Sequence, residues 1–265
     1  MSFITAIFNK HPKTAEPKRE PATTPPAAPA PSKTEKDPFE DQKFFLGDAT
    51  NPIIFDVGAN RGKVIAKYQK LFPAARIFGF EPMPKNIEVL RQRFAAAKNI
   101  SIHGCAVADS VGMRDFYVTH FHATNSLLPR EHDGRRYFPK YADSKTTLPV
   151  PVSTLDAIAE QHSLSNVDIL KLDIQGGELM ALKGAHRLLI NRKVDLIYTE
   201  AFFISHYTGS PLFHDIAQHL HDLDYTLYRI YKMHHGKNGQ LCYCNALFVS
   251  KRIRERVIDR QPQEP

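Results

Sequence analysis

Four carboxylates lie at or near the ends of short apolar runs, where the ligands of open α/β sheets bind. They are Asp56, Glu81, Asp173 and Glu200. Because such ligands bind outside the carboxyl ends of the strands, four acids at that edge are more than the fold itself requires. Carboxylates accept hydrogen bonds from hydroxyls and attract cations. The pattern therefore predicts a site for a polyhydroxylated ligand that carries positive charge.

The segment Ile53–Gly62 joins an apolar run to an amphipathic segment through a glycine-spaced turn. Gly58 and Gly62 allow the backbone to turn and to approach a ligand without an interfering Cβ. The spacing Gly58-x-Asn60-x-Gly62 is neither the dinucleotide spacing G-x-G-x-x-G nor a phosphate loop, which would end in G-K-[ST]. This motif alone is compatible with two interpretations, an ordinary α/β turn and a binding turn for a nucleotide-like cofactor.

Glu81 ends the second apolar run, 19 residues beyond Gly62. An acid at the carboxyl end of the second strand accepts hydrogen bonds from both hydroxyls of a ribose. The alternative is a solvated loop glutamate. The position of Glu81 after a strand and before Pro82-Met-Pro84 favours the ribose role.

Alternating apolar runs and helical periodicities predict an α/β domain that positions these acids. The last two strands are joined by a turn-rich segment and indicate an antiparallel hairpin on a sheet otherwise built from βα units. The predicted strands cover residues 53–56, 76–81, 99–104, 114–119, 148–152, 167–173, 194–200, 225–231 and 242–250, and the predicted helices cover 64–72, 85–98, 178–190 and 211–223, with another beginning at 153.

Residues 120–147 are rich in His, Arg, Tyr, Asp and Pro and have no clean period. Such a length favours a lid or a binding loop. The basic residues of this loop are either solvated or form a contact surface for an anionic or hydroxyl-rich substrate. They are Arg130, Arg135, Arg136, Lys140 and Lys145.

Composition divides the 265 residues into a tail, a domain and a short C-terminal tail. Residues 1–38 hold eight of the 19 prolines and predict disorder, which leaves a domain at 39–255 and a flexible tail at 256–265. The first ten residues are mildly apolar, and they are either a frayed terminus or a short docking helix for a partner or a membrane surface. No apolar run is long enough to predict a transmembrane helix.

The net charge of +7 is spread out, with no dense basic run interleaved with aromatics, which argues against a nucleic-acid partner. The three cysteines give no disulfide framework and predict a reducing, cytoplasmic setting. Cys242 and Cys244, with His234 and His235, suggest zinc as an alternative. Strand alternation explains the two cysteines as buried thiols, so we predict no metal.

Four segments together resemble class I S-adenosylmethionine-dependent methyltransferases of the FkbM type. The resemblance covers about residues 50–250, in the order of the family. The segments are Phe55-Asp-Val-Gly-Ala-Asn-Arg-Gly62, Phe80-Glu-Pro82, Val152-Ser-Thr-Leu-Asp156, and Leu170-Lys-Leu-Asp-Ile-Gln-Gly-Gly-Glu178, the last continued by Ala181-Leu-Lys-Gly-Ala185.

The resemblance implies a Rossmann-like seven-stranded sheet, mostly parallel with an antiparallel last strand and helices on both faces. It also implies S-adenosylmethionine as cofactor, with Glu81 on the ribose, Asp173 beside the sulfonium, and Glu178 ordering the Asp173 loop. Gln175 is a departure, because the family often has Glu there. The implied cofactor-binding residues are Asp56, Gly58, Ala59, Asn60 and Gly62 in the first motif, then Glu81, Cys105 and Ala106 near adenine, and Asp173.

The implied reaction is methylation of a hydroxyl on a sugar, a glycan or a natural product, with Asn125 and Ser126 near the substrate. The proton that leaves the hydroxyl requires a base. The candidates are Asp173, Glu200, and one of the loop histidines His120, His122 and His132.

Three other classes of protein are considered. A nicotinamide oxidoreductase would need G-x-G-x-x-G. A nucleic-acid methyltransferase would favour an [ND]-P-P-Y segment where this chain has Asp173-Ile-Gln-Gly. A non-catalytic binding module of the same fold stays open.

Overall fold

Two β-sheets organise the residues that the structure describes, which are 36–47, 49–131 and 144–261 of a computed structural model. The strands are β1 (Ile53–Val57), β2 (Arg76–Phe80), β3 (Ile100–His103), β4 (Ala106–Val107), β5 (Gly112–Thr119), β6 (Ser144–Ser153), β7 (Val167–Leu172), β8 (Val194–Phe202), β9 (Tyr225–His235) and β10 (Leu241–Ser250). The helices are α1 (Pro38–Leu46), α2 (Lys63–Leu71), α3 (Pro84–Arg93), α4 (Leu155–Gln161), α5 (Glu178–Lys183), α6 (His186–Ile190), α7 (Phe213–His221) and α8 (Lys251–Ile253).

The larger sheet has seven strands in the order β3-β2-β1-β7-β8-β10-β9. The first five pair in parallel, and β10 runs antiparallel to both β8 and β9. The Rossmann-like α/β sheet with an antiparallel last strand is confirmed, and so is the closing hairpin. Because parallel strands end at one edge, the carboxyl ends of β1, β2 and β7 meet there.

Helices cover both faces of this sheet, which explains why its central strands are apolar on both sides. In β1, Phe55 faces a core shared with α4, α5, α6 and α7. Its neighbour Ile54 faces the opposite core, built with α1, α2, α3 and α8. Helices on both faces are therefore confirmed.

A second sheet of three strands, in the order β4-β6-β5, was not foreseen as a separate unit. It has its own small core around Phe116, Val150 and Val152. Strand β6 begins at Ser144, so the end of the predicted loop 120–147 is extended backbone. Residues 132–143 lie outside the described residues, and with them Arg135, Arg136 and Lys140 of the predicted basic cluster. Arg130 of that cluster lies over the ring of Tyr207.

Described elements lie at both boundaries that the sequence predicted for the domain, at residues 39 and 255. Asp37 caps α1 by accepting from the backbone N–H of Phe39 at 3.0 Å, and Phe45 of α1 is 1% exposed. A π-helical turn follows α8 at Arg254–Ile258, and Arg256 donates to the carbonyl of Phe45 at 2.9 Å. Residues 1–35 and 262–265 lie outside the described residues. Within the described part, no helix combines the length and apolarity needed to cross a membrane.

Candidate functional site

A cavity of about 380 Å³ opens at the carboxyl ends of β1, β2 and β7. Eight of the predicted site residues line it: Gly58, Ala59, Asn60, Glu81, Cys105, Ala106, Asn125 and Asp173. Four others do not: Asp56, Gly62, Ser126 and Glu200. The structure therefore brings most of the predicted site together and assigns the rest to its surroundings.

The turn after β1 is held against two neighbouring strands. Backbone N–H groups of Gly58 and Ala59 donate to the carbonyl of Phe80 at 3.1 and 2.9 Å. Gly58 has φ 81°, and a Cβ there would lie 2.0 Å from the carbonyl oxygen of Asp173. Only glycine fits this position, because both the backbone angle and the available space exclude a side chain. The close approach places the first motif directly beside Asp173.

Gly62 has a structural role at the start of α2. Its φ is 77°, and a Cβ would lie 2.5 Å from the ring of Phe94. The glycine therefore lets the start of α2 pack closely against the end of α3. The prediction that Gly62 touches a ligand does not match this position, since the residue faces a helix.

Glu81 is fixed by two backbone donors at the rim of the cavity. Its Oε2 accepts from Asn60 N–H at 2.8 Å, and its Oε1 accepts from Met83 N–H at 2.9 Å. Burial raises the pKa of the Glu81 carboxyl, an effect that these hydrogen bonds partly offset. A carboxylate has about four acceptor sites, so acceptor capacity for a ligand hydroxyl remains after the two backbone donors and the Asn86 amide.

Asp56 lies beneath the cavity and pairs with Lys171, a residue that the sequence reasoning missed. The two are register partners on β1 and β7, and Lys171 Nζ lies 2.9 Å from Asp56 Oδ1. Asp56 is fully buried and does not line the cavity, so the contact that the structure shows for it is an ion pair. Two opposite charges in otherwise apolar strands were the signal for this pair, but the register of the strands was needed to join them.

Lys171 connects the ion pair to the cavity, which it also lines. Its Nζ donates to the carbonyls of Val57 and Gly58 at 3.2 and 3.1 Å and lies 3.9 Å from Asp173 Oδ2. Burial opposes the positive charge, but the Asp56 and Asp173 carboxylates outweigh it and hold the pKa of Lys171 above its usual value.

Glu178 orders the loop that follows β7. Its Oε1 accepts from Ile174 N–H and its Oε2 from Gly176 N–H, both at 2.9 Å. The side chain is fully buried, and this burial raises its pKa to about 7. The loop is therefore tied to the first turn of α5, as the resemblance implied, while the Asp173 side chain remains 45% exposed at the cavity.

Glu200 does not line the cavity, but it contacts Gln175, which does. The Gln175 side-chain N–H₂ donates to Glu200 Oε2 at 2.7 Å and to Asp173 Oδ1 at 3.2 Å. Burial, and then the charge of Asp173, raise the pKa of Glu200 well above its ordinary value. These positions do not support the predicted role of Glu200 as a base that meets a substrate.

Asn125 and Ser126 follow β5 and differ in what they contact. Asn125 Oδ1 accepts from Thr119 N–H at 2.9 Å, which leaves its buried N–H₂ without a partner among the described residues. Ser126 instead donates to the carbonyl of Gln175 at 2.7 Å. Asn125 therefore offers a donor at the cavity, whereas Ser126 holds the loop after β7.

The histidines and cysteines that the sequence analysis singled out lie in different places, and only some of them are at the cavity. His122 lines the cavity, and partial burial, with the nearby Arg61 charge, lowers its pKa. His120 does not line it, and His132 lies outside the described residues. Cys242 and Cys244 are buried thiols of β10. Within the described ranges, no three His, Cys, Asp or Glu side chains converge as a metal site.

The fold and the cavity define a Rossmann-like α/β protein with a ligand site at the carboxyl edge of its sheet. The model of the methyltransferase FkbM domain matches residues 56–227, and the chain belongs to this family.

Two characterised relatives are similar to the chain over part of their length. It is 26% identical over 160 residues to the 2-O-methyltransferase NoeI of Sinorhizobium fredii, with 58% of this chain and 65% of the relative covered. It is 26% identical over 172 residues to the methyltransferase sdnD of Sordaria araneosa, with 56% and 66% covered. The match thus spans just under two thirds of each relative.

Solved structures resemble the chain more distantly. Magnesium protoporphyrin IX methyltransferase from Synechocystis PCC 6803 with bound SAM has a TM-score of 0.45 at 11% identity, covering 80% of this chain and 77% of that chain. TrmK of M. capricolum in complex with S-adenosylhomocysteine has a TM-score of 0.44 at 6% identity, covering 80% and 67%.

Proposed function

We propose that the protein is an S-adenosylmethionine-dependent O-methyltransferase. Membership of the FkbM family supports the class of reaction. The observation that carries the proposal is that Glu81 and Asp173, from the ends of two different strands, line one cavity. That pair fits a ligand with a ribose at one end and a positive charge at the other.

The residues of the cavity fit this cofactor along its length. Its volume of about 380 Å³ lies within the range of small-molecule sites. The Gly58–Asn60 turn would hold the methionine part, Glu81 would accept from the ribose hydroxyls, and Cys105 and Ala106 would contact the adenine. Asp173 would lie beside the sulfonium. Asp56 would support the site from beneath, and Lys171, which lines the cavity, would hold Asp56 and the adjoining backbone carbonyls in place.

When bound, S-adenosylmethionine supplies the methyl group as an electrophile, so the protein mainly orients the partners and excludes water. The hydroxyl proton still needs an acceptor. We assign it to Asp173, because this carboxylate is partly exposed at the cavity and its orientation is fixed by Gln175. His122, whose lowered pKa keeps its ring neutral at neutral pH, is the second candidate.

The acceptor that we propose is a hydroxyl of a small molecule or a glycan. The relative NoeI is named as a 2-O-methyltransferase, which favours oxygen over nitrogen or carbon. The unpartnered N–H₂ of Asn125 provides a donor for an acceptor oxygen at the cavity. The three unpaired thiols support a reducing, cytoplasmic setting for the reaction.

The test uses the whole chain with S-adenosylmethionine carrying a labelled methyl group and a panel of glycans and hydroxylated metabolites. We expect one panel member to gain the label, and Asp173→Asn to reduce the initial rate while the protein still binds the cofactor. Label transfer that is unchanged in Asp173→Asn would remove Asp173 from the mechanism. Failure of the native chain to bind the cofactor would remove the proposed function altogether.

A further inference from the structure

The side-chain amide of Gln175 has hydrogen-bond partners on both of its ends. Its N–H₂ donates to Asp173 Oδ1 at 3.2 Å and to Glu200 Oε2 at 2.7 Å. Its Oε1 accepts from the hydroxyl of Tyr207 at 2.7 Å. A primary amide has two N–H donors, so one is available for each carboxylate. The amide therefore bridges a carboxylate at the cavity and a carboxylate that does not line it.

The backbone of Gln175 is fixed as firmly as its side chain. Its φ is 56°, in the left-handed region. Its carbonyl accepts from Ser126 Oγ at 2.7 Å, and Glu178 accepts from the backbone N–H groups of Ile174 and Gly176 on either side. The bridge between Asp173 and Glu200 is thus built on a loop whose position is held from three directions.

A carboxylate at position 175 would change the chemistry of this cluster. Glutamate is close to glutamine in size, but when ionised it has no donor to offer Asp173 or Glu200. Two carboxylates that share a site already disfavour ionisation of one of them, and a third increases this effect. A protonated glutamate would regain one donor. Replacing the amide by an acid would therefore make the stability of this cluster depend more strongly on pH.

We propose that Gln175 is a positioning residue that orients Asp173 toward the cavity and keeps a further titrating carboxylate away from the Asp173–Glu200 pair. The effect of Gln175 on cofactor binding rests on the proposed function, in which the oriented Asp173 carboxylate faces the sulfonium. The bridge itself does not depend on the identity of the ligand.

The charged neighbours of this cluster come from several elements. Lys171 of β7 lies 3.9 Å from Asp173 Oδ2, and Glu178 of α5 acts on Glu200. The remaining titratable neighbours of Glu200 are Tyr207, Tyr198 of β8, and Tyr243 and Cys244 of β10. Burial raises the pKa of each of these last groups, so they are uncharged near neutral pH. Any pH dependence of stability that Gln175→Glu introduces must therefore come from the charges of the carboxylates and Lys171.

The first test needs no ligand. Thermal midpoints are compared for the native protein, Gln175→Glu and Gln175→Met at about pH 5.5 and about pH 8.5. A folded-state pKa that is raised above the unfolded value contributes stability at low pH that is lost as the pH rises. We expect Gln175→Glu to lose several degrees more at the higher pH, and to lose more there than Gln175→Met, which removes the two donors without adding a carboxylate.

Two outcomes of this comparison contradict the proposal. One is an equal loss for Gln175→Glu at both pH values. The other is a loss at the higher pH that is unchanged when Asp173→Asn is added, because removing that charge must relieve part of the repulsion.

The second test uses S-adenosylmethionine, which carries a positive sulfonium, and S-adenosylhomocysteine, which has a neutral thioether. Calorimetry at about pH 8.5 should show that Gln175→Glu raises the ratio of the two affinities several-fold, because it adds a negative charge near the sulfonium. Gln175→Met, which adds no charge, should lower the ratio because Asp173 loses the amide that orients it, and an unchanged ratio in that variant contradicts the proposed orientation of Asp173. If the native protein binds neither compound, the proposed function fails, while the stability test still decides the role of Gln175.

Discussion

The buried ion pair of Asp56 and Lys171 gives the floor of the cavity a fixed arrangement of charge. Lys171 Nζ is shared between Asp56, two backbone carbonyls and, at 3.9 Å, Asp173. A buried charge that loses its partner is strongly destabilising, whereas the removal of both charges can be nearly neutral. The pair therefore holds the ends of β1 and β7 together directly beneath the cavity.

Replacement of Lys171 by methionine should lower the free energy of unfolding by about 3–5 kcal/mol, because Asp56 then remains buried and unpaired. Denaturant unfolding at neutral pH measures the loss. The double variant with Asp56→Asn is the matched control, and it should recover a large part of the stability. A loss below about 1 kcal/mol in the single variant would show that the pair contributes little.

Replacement of Glu81 by glutamine should weaken the binding of S-adenosylmethionine and also cost about 1–3 kcal/mol of stability, because the amide leaves one of the two backbone donors, Asn60 or Met83, without an acceptor. The amide keeps the size of the side chain but loses the charge and one acceptor, so hydrogen bonds to a ribose worth about 1.5–3 kcal/mol are weakened. Calorimetry measures the change, and Glu88→Gln on the exposed side of α3 is the control. Equal affinities of the two variants would place the ribose elsewhere.

At the scale of elements, Glu178 connects the end of β7 to α5. The loop it ties contains both Asp173 and Gln175, so the position of one buried carboxylate determines the shape of one wall of the cavity. Tertiary contacts of this kind maintain α5, which at six residues is too short to be stable in isolation.

The stability of the protein should show a pH dependence that Glu178→Gln removes. The Glu178 pKa is raised from 4.5 to about 7 in the folded protein. Its contribution is therefore complete below pH 4.5 and is lost as the pH rises through 7. The stability of the native protein relative to the variant should fall by about 3 kcal/mol over that window. A constant difference from acid to neutral pH would contradict the raised pKa.

At the scale of the whole molecule, α1 joins the N-terminal side of the domain to its last strands. Asp41 accepts from the hydroxyl of Tyr231 at 2.7 Å and from Arg229 at 3.0 Å, both on β9. Gln42 accepts from Tyr68 at 2.8 Å in the interior. These contacts pack α1 against the rest of the described fold.

Two truncations test the contribution of α1. A chain that begins at residue 36 should unfold at the temperature of the full chain, since Asp37 and α1 are kept. A chain that begins at residue 49 should lose several kcal/mol, because the burial of Phe39 and Phe45 is lost and each aromatic contributes about 2–3 kcal/mol. Scanning calorimetry compares them. Equal midpoints for both truncations would show that α1 is dispensable.

Sequence patterns predicted the strands of the larger sheet and the acids at their ends, because buried parallel strands appear in the sequence as apolar runs and the acids follow those runs directly. Glu81 and Asp173 were found in this way. Side-chain direction and strand register are not recorded in the same pattern, so Asp56 was assigned to the cavity and Lys171 was overlooked. The hydrogen bond from Gln175 to Glu200 joins residues that are 25 apart in the chain, so it forms only when the fold brings them together.

Calorimetric titration of the full chain with S-adenosylmethionine, in parallel with Glu81→Gln, tests the central claim most directly. We expect one molecule to bind per native chain, with an affinity that falls at least about tenfold in the variant, as the loss of a charge-assisted hydrogen bond requires. S-adenosylhomocysteine should compete for the same site. No binding by the native chain, or equal binding by the two proteins, would contradict the assignment of this cavity to the cofactor of a methyltransferase.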